Sequence, residues 1–365
     1  MNSYDIKCKI IEEELQSVWP DWHVVGRLGG GTFGDVFQIY RNNFGIRVDS
    51  ALKIIQTDSG LANDDSTQVL PFNRKDGQEA DDDGHTEIPE ILQNEILILE
   101  MLKGAPKIVA VEDYHFKQDG SVSSLFVRME LLTSLQDILQ GRHELKNLSS
   151  IREICKLGRD ICTALMYCEK KGIIHRDLKP ANLFVDKFGD YKVGDFGASK
   201  RMDSLYTDQT MTGIGTISYM APEVFRGSTY NNKVDIYALG LVLYQLLNNG
   251  RMPFLPSEGI YTSQDIDSAN FQRLHGTPLP DLTGKTVGGE QINSRLDSVI
   301  RKACAMNPEE RYQTAKEFYD ALLLMSSQSQ QQKKKNSGTK RLLTGVGILL
   351  ILGAAAVAVW KASGR

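Results

Sequence analysis

Apolar residues recur along this chain with two spacings, and the changes between them mark its elements. Over residues 1–20, Ile6, Ile10 (or Ile11) and Leu15 fall at near-helical intervals around Glu12-Glu13-Glu14. That predicts a short amphipathic helix, which either packs on the domain that follows or remains a polar arm. From Trp22 the period shortens: Val24–Leu28, Val36–Tyr40 and Ala51–Ile55 read as strands. Helical spacing returns through Ile91, Leu92, Ile98, Leu99 and Leu102, predicting a helix over 90–102, and Leu125–Leu132 reads as a further strand. Ser150 with Glu153 opens a helix that runs to Lys171 and closes at Gly172. Leu183-Phe184-Val185 and Tyr191-Lys192-Val193 flank a polar Asp186–Asp190 turn, the pattern of a hairpin. Asp235 and Gly240 lie in a long apolar helix, and Thr314 to Glu317 caps a last one that ends near Met325.

Three stretches break these rhythms. Residues 57–90 hold ten acidic and two basic side chains among Gly, Ser and Asn, which predicts a solvated, largely disordered insertion. Glu79 to Glu90 approaches a calcium loop, but Glu79 replaces the usual first Asp and Pro89 interrupts the end, so no calcium site is expected. Residues 327–341 are Ser, Gln, Lys and Gly, a flexible basic linker. Leu342–Trp360 then runs nineteen residues without a charge. As a helix it is about 28 Å long, enough to cross a bilayer core. Lys333, Lys334, Lys335, Lys340 and Arg341 precede it and only Lys361 and Arg365 follow, which keeps the N-terminal side in the cytoplasm. The expectation is a single-pass membrane anchor at the C-terminal end with a short external tail, 361–365, and no external sensor domain. Gly345, Gly347 and Gly353 would let two spans approach, so a homodimer stays open.

Composition narrows the classes. The chain has 365 residues, 41% of them hydrophobic, so a large core or two lobes can form. A net charge of −4 gives no pointer to nucleic acid as a partner. Cys8, Cys155, Cys162, Cys168 and Cys304 form no CxxC pair, so no zinc site is expected and they read as small buried residues in a reducing compartment. With charges throughout the N-terminal stretch, no signal peptide is expected.

The chemistry gathers around the predicted hairpin. Asn182 precedes it and Asp195 follows it, so two oxygen ligands converge, the kind that Mg²⁺ shares with phosphate oxygens. Asp177, five residues before Asn182, is placed to accept a hydroxyl proton. Upstream, glycines at 29, 31 and 34 let backbone N–H groups approach a phosphate. Such a run also marks dinucleotide-binding turns, but those lead into a helix, whereas here a strand follows. Lys53 stands in an apolar strand, a costly place unless it is paired.

His175-Arg176-Asp177-Leu178-Lys179-Pro180-Ala181-Asn182, then Asp195-Phe196-Gly197, closely resembles the catalytic loop and metal-binding triplet of the eukaryotic-type Ser/Thr protein kinase family, here in a form that looks bacterial. The resemblance covers residues 22–326, with gaps in the acidic insertion and around 256–290. It implies an α+β, bilobal fold: a small antiparallel sheet with one main helix, then a mainly helical lobe, followed here by the transmembrane helix. It implies catalytic roles for Asp177, Lys179, Lys53 and Glu95, the last chosen over Glu90 and Glu100 as partner of Lys53. Asn182 and Asp195 would hold Mg²⁺ or Mn²⁺. ATP would lie against Leu28, Gly29, Gly31, Gly34, Val36, Ala51, Lys53, Met129, Glu130 and Leu132, with backbone groups near Glu130 and Leu132 meeting adenine. Met129 reads equally as plain core. Lys179 and Thr216 favour protein Ser/Thr substrates over Tyr. Arg311 resembles the buried partner of Glu223, although Tyr312 stands where the family usually has Pro. Arg176 would bind a phosphate placed by autophosphorylation between Ser199 and Thr212, at Thr210 or Thr212 above all. A kinase-fold scaffold without catalysis is the alternative; the complete set Lys53, Asp177, Asn182 and Asp195 argues against it. A small-molecule kinase is disfavoured by Ala221-Pro222-Glu223, which ends a full activation segment.

Overall fold

The computed structural model describes residues 3–31, 34–58, 88–141, 148, 150–201 and 217–325. Most of the acidic insertion, residues 202–216 and the predicted linker and span therefore lie outside the described residues.

The small lobe is a five-stranded antiparallel sheet in the order β1 (His23–Gly31), β2 (Gly34–Asn43), β3 (Ile46–Asp58), β5 (Val122–Glu130), β4 (Val111–Asp119). Its strands outrun the predicted ones because their ends are polar and half exposed. The exception is β5, which stops at Glu130 and leaves Leu131 and Leu132 as the link between lobes. Alternation gives the sheet two apolar faces. One buries Phe37, Ile39, Leu52, Ile54 and Phe126 beneath Ile11 and Leu15 of α1 (Ser3–Val18), with Trp22 at the edge. Of the two possibilities for this helix, packing is the one observed. Polar ties reinforce it: the Glu12 carboxylate accepts from Val24 N and meets His23 Nδ1 at 2.9 Å, and Trp19 Nε1 donates to Asp113 Oδ2 at 3.1 Å. The Arg128 guanidinium lies over both Trp22 and Trp19, 4.7 and 5.5 Å from the ring centres. The other face buries Ile55, Leu125 and Val127 beneath Leu92 of α2 (Glu90–Leu102).

The large lobe begins with β6 (Thr133–Ser134) and α3 (Leu135–Leu139). Next come α4 (Ile151–Lys171), β7 (Ile173–Ile174), the hairpin β8 (Leu183–Val185) and β9 (Tyr191–Val193), and β10 (Lys200–Arg201). Ser150 caps α4 by accepting from Glu153 N, and Gly172, at φ 67°, ends it in the left-handed conformation. After α5 (Pro222–Phe225), α6 (Lys233–Leu247) is buried on nearly every side and forms the lobe's axis. α4 packs on it at Gly158, where a Cβ would stand 2.9 Å from Leu243 Cδ1. The stretch around 256–290, which matched no pattern, holds α7 (Ser263–Leu274) and the small hairpin β11 (Thr286–Val287) and β12 (Glu290–Gln291). α8 (Ser294–Ala303) and α9 (315–325) complete the lobe. Among the described residues no helix is long and apolar enough to cross a membrane.

Arg311 is buried and makes a bidentate pair with Glu223, at 2.6 and 2.7 Å, while also donating to Ala305 O at 2.8 Å. Tyr312 is not a mere turn variant. It is buried and stacks on Phe318 at 4.9 Å, so the departure fills the core against α9.

Candidate active site

The sheet register collects one side of the site. Val36 pairs with Lys53, Lys53 with Val127, and Ala51 with Met129. Residues so paired share a face, so Val36, Ala51, Lys53 and Met129 line one side of the sheet. Leu28 is half exposed at the bulge between Arg27 and Gly29. Gly34 has φ 120°, and a Cβ there would stand 2.1 Å from Ile54 O, so the sheet itself requires glycine. At Gly29 a Cβ would meet nothing within 4 Å; any demand for glycine there comes from outside the folded chain. Gly31 pairs with Gly34 at the hairpin mouth.

Lys53 is buried, and its Nζ lies 2.8 Å from Asp195 Oδ1 and 3.3 Å from Glu95 Oε1. Its competitors go elsewhere: Glu100 faces Lys103 at 3.6 Å on the surface, and Glu90 is exposed in the first turn of α2. Burial alone would lower the Lys53 pKa, but the Asp195 and Glu95 carboxylates outweigh it and hold the ammonium above its usual range. Burial alone would likewise raise the Asp195 carboxyl, and the Lys53 ammonium beside it holds it below the usual carboxylate range. Asp195 sits at φ 57°, in the left-handed region, two residues past the end of β9.

The catalytic loop is held from below. The Asp235 carboxylate, buried in the first turn of α6, accepts from His175 N at 2.8 Å and Arg176 N at 2.9 Å, and Arg176 takes φ 72°. His175 Nδ1 lies 3.3 Å from Asp177 N and Nε2 lies 3.0 Å from Gly194 O, which places the ring proton on Nε2. The His175 ring also packs edge-on against Phe196 at 4.7 Å. Asp177 Oδ2 is 2.7 Å from Lys179 Nζ and 3.0 Å from Asn182 Nδ2, which also donates to Asp177 O at 2.7 Å. Asp177 Oδ1 is buried without a hydrogen-bond partner among the described residues. Asn182 O accepts from Gly194 N at 2.9 Å, closing the hairpin so that Asn182 and Asp195 leave it side by side. Both bonds of the Asn182 amide use Nδ2, so its carbonyl oxygen is the atom left for a cation. A carbonyl and a carboxylate suit Mg²⁺ or Mn²⁺.

The Glu130 N–H donates to Ala110 O at 3.1 Å, so only the carbonyl of that residue remains for a base. The Glu130 side chain points to the back of the link, accepting from Ala110 N at 2.7 Å and from Lys192 Nζ at 2.7 Å. Leu132 is partly buried in the link, beyond the end of β5. Gly194 and the anchoring roles of His175 and Asp235 were not read from the sequence. A carboxylate at the start of an apolar helix was the available signal for Asp235, since a buried charge demands partners. Arg176 lies 5.6 Å from the Tyr230 ring centre, and the expected phosphorylation sites Thr210 and Thr212 lie outside the described residues.

Residues 22–322 match the model of the protein kinase domain. The serine/threonine-protein kinase PknB of Mycobacterium leprae is 35% identical over 215 residues, 58% of this chain and 32% of that protein. PknB of Mycobacterium tuberculosis is 34% identical over 216 residues, again 58% and 32%. A probable serine/threonine-protein kinase of Streptomyces coelicolor is 30% identical over 294 residues, 80% of this chain and 37% of that protein. The chain thus spans about a third of the length of the curated relatives it matches.

Proposed function

The chain belongs to the protein kinase family, and from that premise we propose that it transfers the γ-phosphoryl group of ATP to Ser or Thr hydroxyls of proteins. The observation that carries this reading is the buried Oδ1 of Asp177, without a hydrogen-bond partner among the described residues, beside an Oδ2 already held by Lys179 and Asn182. That arrangement leaves one oxygen for a substrate hydroxyl. The hydroxyl oxygen forms the new O–P bond, the bond between the γ-phosphorus and the bridging oxygen breaks, ADP leaves with the electron pair, and the proton passes to Asp177. Lys53, oriented by Glu95, grips the nucleotide phosphates. A divalent ion on Asn182 and Asp195 supplies positive charge to the phosphates when bound. Lys179 sits close enough to Asp177 to neutralise charge on the transferred group, and it supports Ser/Thr rather than Tyr substrates. The work is mostly positioning and electrostatics.

Autophosphorylation between Ser199 and Thr212 belongs to the same proposal, with Arg176 as the receiving cation through charge-assisted hydrogen bonds. So does attachment to a membrane through Leu342–Trp360, which the uncharged run and its basic flank support. Incubating the purified protein with labelled Mg-ATP and a generic Ser/Thr substrate tests the reaction. Phosphoserine or phosphothreonine should form, and Asp195→Asn should abolish it while the protein stays folded. Label transfer undiminished in both Asp195→Asn and Asp177→Asn would remove the proposal. Phosphopeptide mapping tests the segment. Release of the full chain from membranes by carbonate would rule out the anchor.

A further inference from the structure

The two carboxylates that hold Lys53 reach it from one joint. Glu95 lies on α2, which ends at Leu102; five residues on, Lys107 adopts φ 58°. Lys107 O accepts from Val193 N at 2.9 Å and Val109 N donates to Val193 O at 2.8 Å, so Ile108 forms a parallel bridge with the last residue of β9. Asp195 follows two residues later. The approach is close: a Cβ on Gly194 would stand 2.7 Å from Val109 Cγ2.

Charge holds this joint from behind. Lys107 Nζ lies 3.4 Å from Asp160 Oδ1 and 3.0 Å from Asp190 Oδ2. Lys156 Nζ takes the other oxygens, 2.6 Å from Asp160 Oδ2 and 3.0 Å from Asp190 Oδ1. Four side chains close a ring of alternating sign between α4, the β8–β9 turn and the segment that follows α2. Asp160 Oδ2 also accepts from Tyr191 N at 3.1 Å, tying the ring to β9 itself. Glycine would adopt the Lys107 backbone at lower cost. What lysine adds there is an ammonium between two carboxylates.

We propose that Lys107 is a positioning residue, whose ring with Asp160, Lys156 and Asp190 sets the separation of Glu95 and Asp195 around Lys53 without touching nucleotide or metal. The inference rests on the kinase reading. A displacement of about 1 Å at a reacting geometry costs up to about 10²-fold in rate, so a loosened joint has a measurable effect.

The test compares Lys107→Met, Lys107→Gly, Lys107→Arg and Asp190→Asn in the full chain. Turnover, KM for ATP, melting temperature and calorimetric ATP affinity across a Mg²⁺ titration are measured for each. Lys107→Met and Lys107→Gly should lower kcat about tenfold and raise the Mg²⁺ concentration needed for half-maximal nucleotide binding. Asp190→Asn should act in the same direction more weakly, and Lys107→Arg should restore both. A ring that only stabilises the fold would lower the melting temperature and leave kcat and the Mg²⁺ midpoint at wild-type values, which overturns the proposal. If Lys107→Met does not fold, Asp190→Asn decides, since its side chain is half exposed; an unmoved Mg²⁺ midpoint there overturns it. A wild-type protein that binds Mg-ATP without transferring phosphate would count against the function, while the binding midpoint would still judge the joint.

Discussion

Asp177 and Lys53 are both buried charged groups of one site, but they are held differently. Asp177 is fixed within the large lobe: its backbone meets His175, its side chain Lys179 and Asn182, and Asp235 carries the loop beneath it. Lys53 belongs to the small lobe and is held by two charge-assisted hydrogen bonds, from a helix on one side and a large-lobe turn on the other. The first arrangement is a closed hydrogen-bond network, stiff because every member has more than one tie. The second spans the lobes and forms only when they sit correctly. The setting of Asp177 is therefore built into one lobe, whereas the Lys53 pairing depends on how the lobes are placed.

The largest effects should come from removing either pole. Asp177→Asn is expected to lower turnover by about 10²-fold or more with ATP affinity nearly unchanged. Lys53→Met should lose turnover and ATP affinity together. Steady-state kinetics with nucleotide titration separates the two, and an equal loss of ATP affinity in both variants would erase the contrast.

Next is the support under the loop. Asp235→Ala strips two backbone N–H groups of their acceptor, a buried one on His175 and a partly buried one on Arg176. Each stranded group costs about 1–3 kcal/mol, so thermal or urea unfolding should show a substantial loss. Asp235→Asn keeps one acceptor oxygen and should lose less. Equal stability of the two variants would show that the carboxylate does not hold the loop.

Acid provides a finer probe of the Lys53 side. The Asp195 carboxyl is held low, so its contribution is complete above the unfolded carboxylate value of about 3.9 and is lost as pH falls through its lower folded value. The Lys53 ammonium is held high, so its contribution is complete below about 10.4 and is lost as pH rises through its raised value. In Lys53→Met burial is opposed only by His175 and the Gly197 N–H, so the Asp195 carboxyl moves up from its wild-type position and that variant gains stability on acidification relative to wild type. The melting-temperature gap between wild type and Lys53→Met should narrow from about pH 6 to pH 4; a constant gap would mean the pair is not coupled.

The smallest effect distinguishes the lobes by their thiols. Cys155, Cys162, Cys168 and Cys304 are buried in the large lobe, whereas Cys8 on α1 is only partly covered. Burial pushes the Cys155 and Cys304 thiols up to about 12, away from the reactive thiolate. An aromatic disulfide reagent at pH 8 should titrate Cys8 first and the other four only on unfolding. Fast reaction of a second thiol would mean the large lobe opens more readily than its packing suggests.

The sequence made the carriers of chemistry legible and left their supports obscure. Lys53 stood out because a charge interrupts an apolar strand, whereas Glu95 stood out only through the resemblance of its helix to the family's paired-glutamate helix. α1 was legible as a helix but not as a packed one, since an apolar stripe does not name what covers it. β4 was missed because none of its residues is buried and they alternate weakly. α7 carried a signal that went unread: Thr262 and Asp265 form a full capping box. The turn of the Glu130 side chain toward Ala110 and Lys192 had no sequence signal, because a pairing across 62 positions leaves no local pattern.

α1 also bears on where the folded unit starts. The family match begins at residue 22, but Ile11 and Leu15 cover Phe37, Ile39, Leu52, Ile54 and Phe126. A recombinant fragment trimmed to the match would present that sheet face bare to water, a contiguous apolar patch of the kind that drives proteins to self-associate. The practical expression boundary lies ahead of α1, and a trimmed fragment that precipitates would say nothing about whether the full chain is sound.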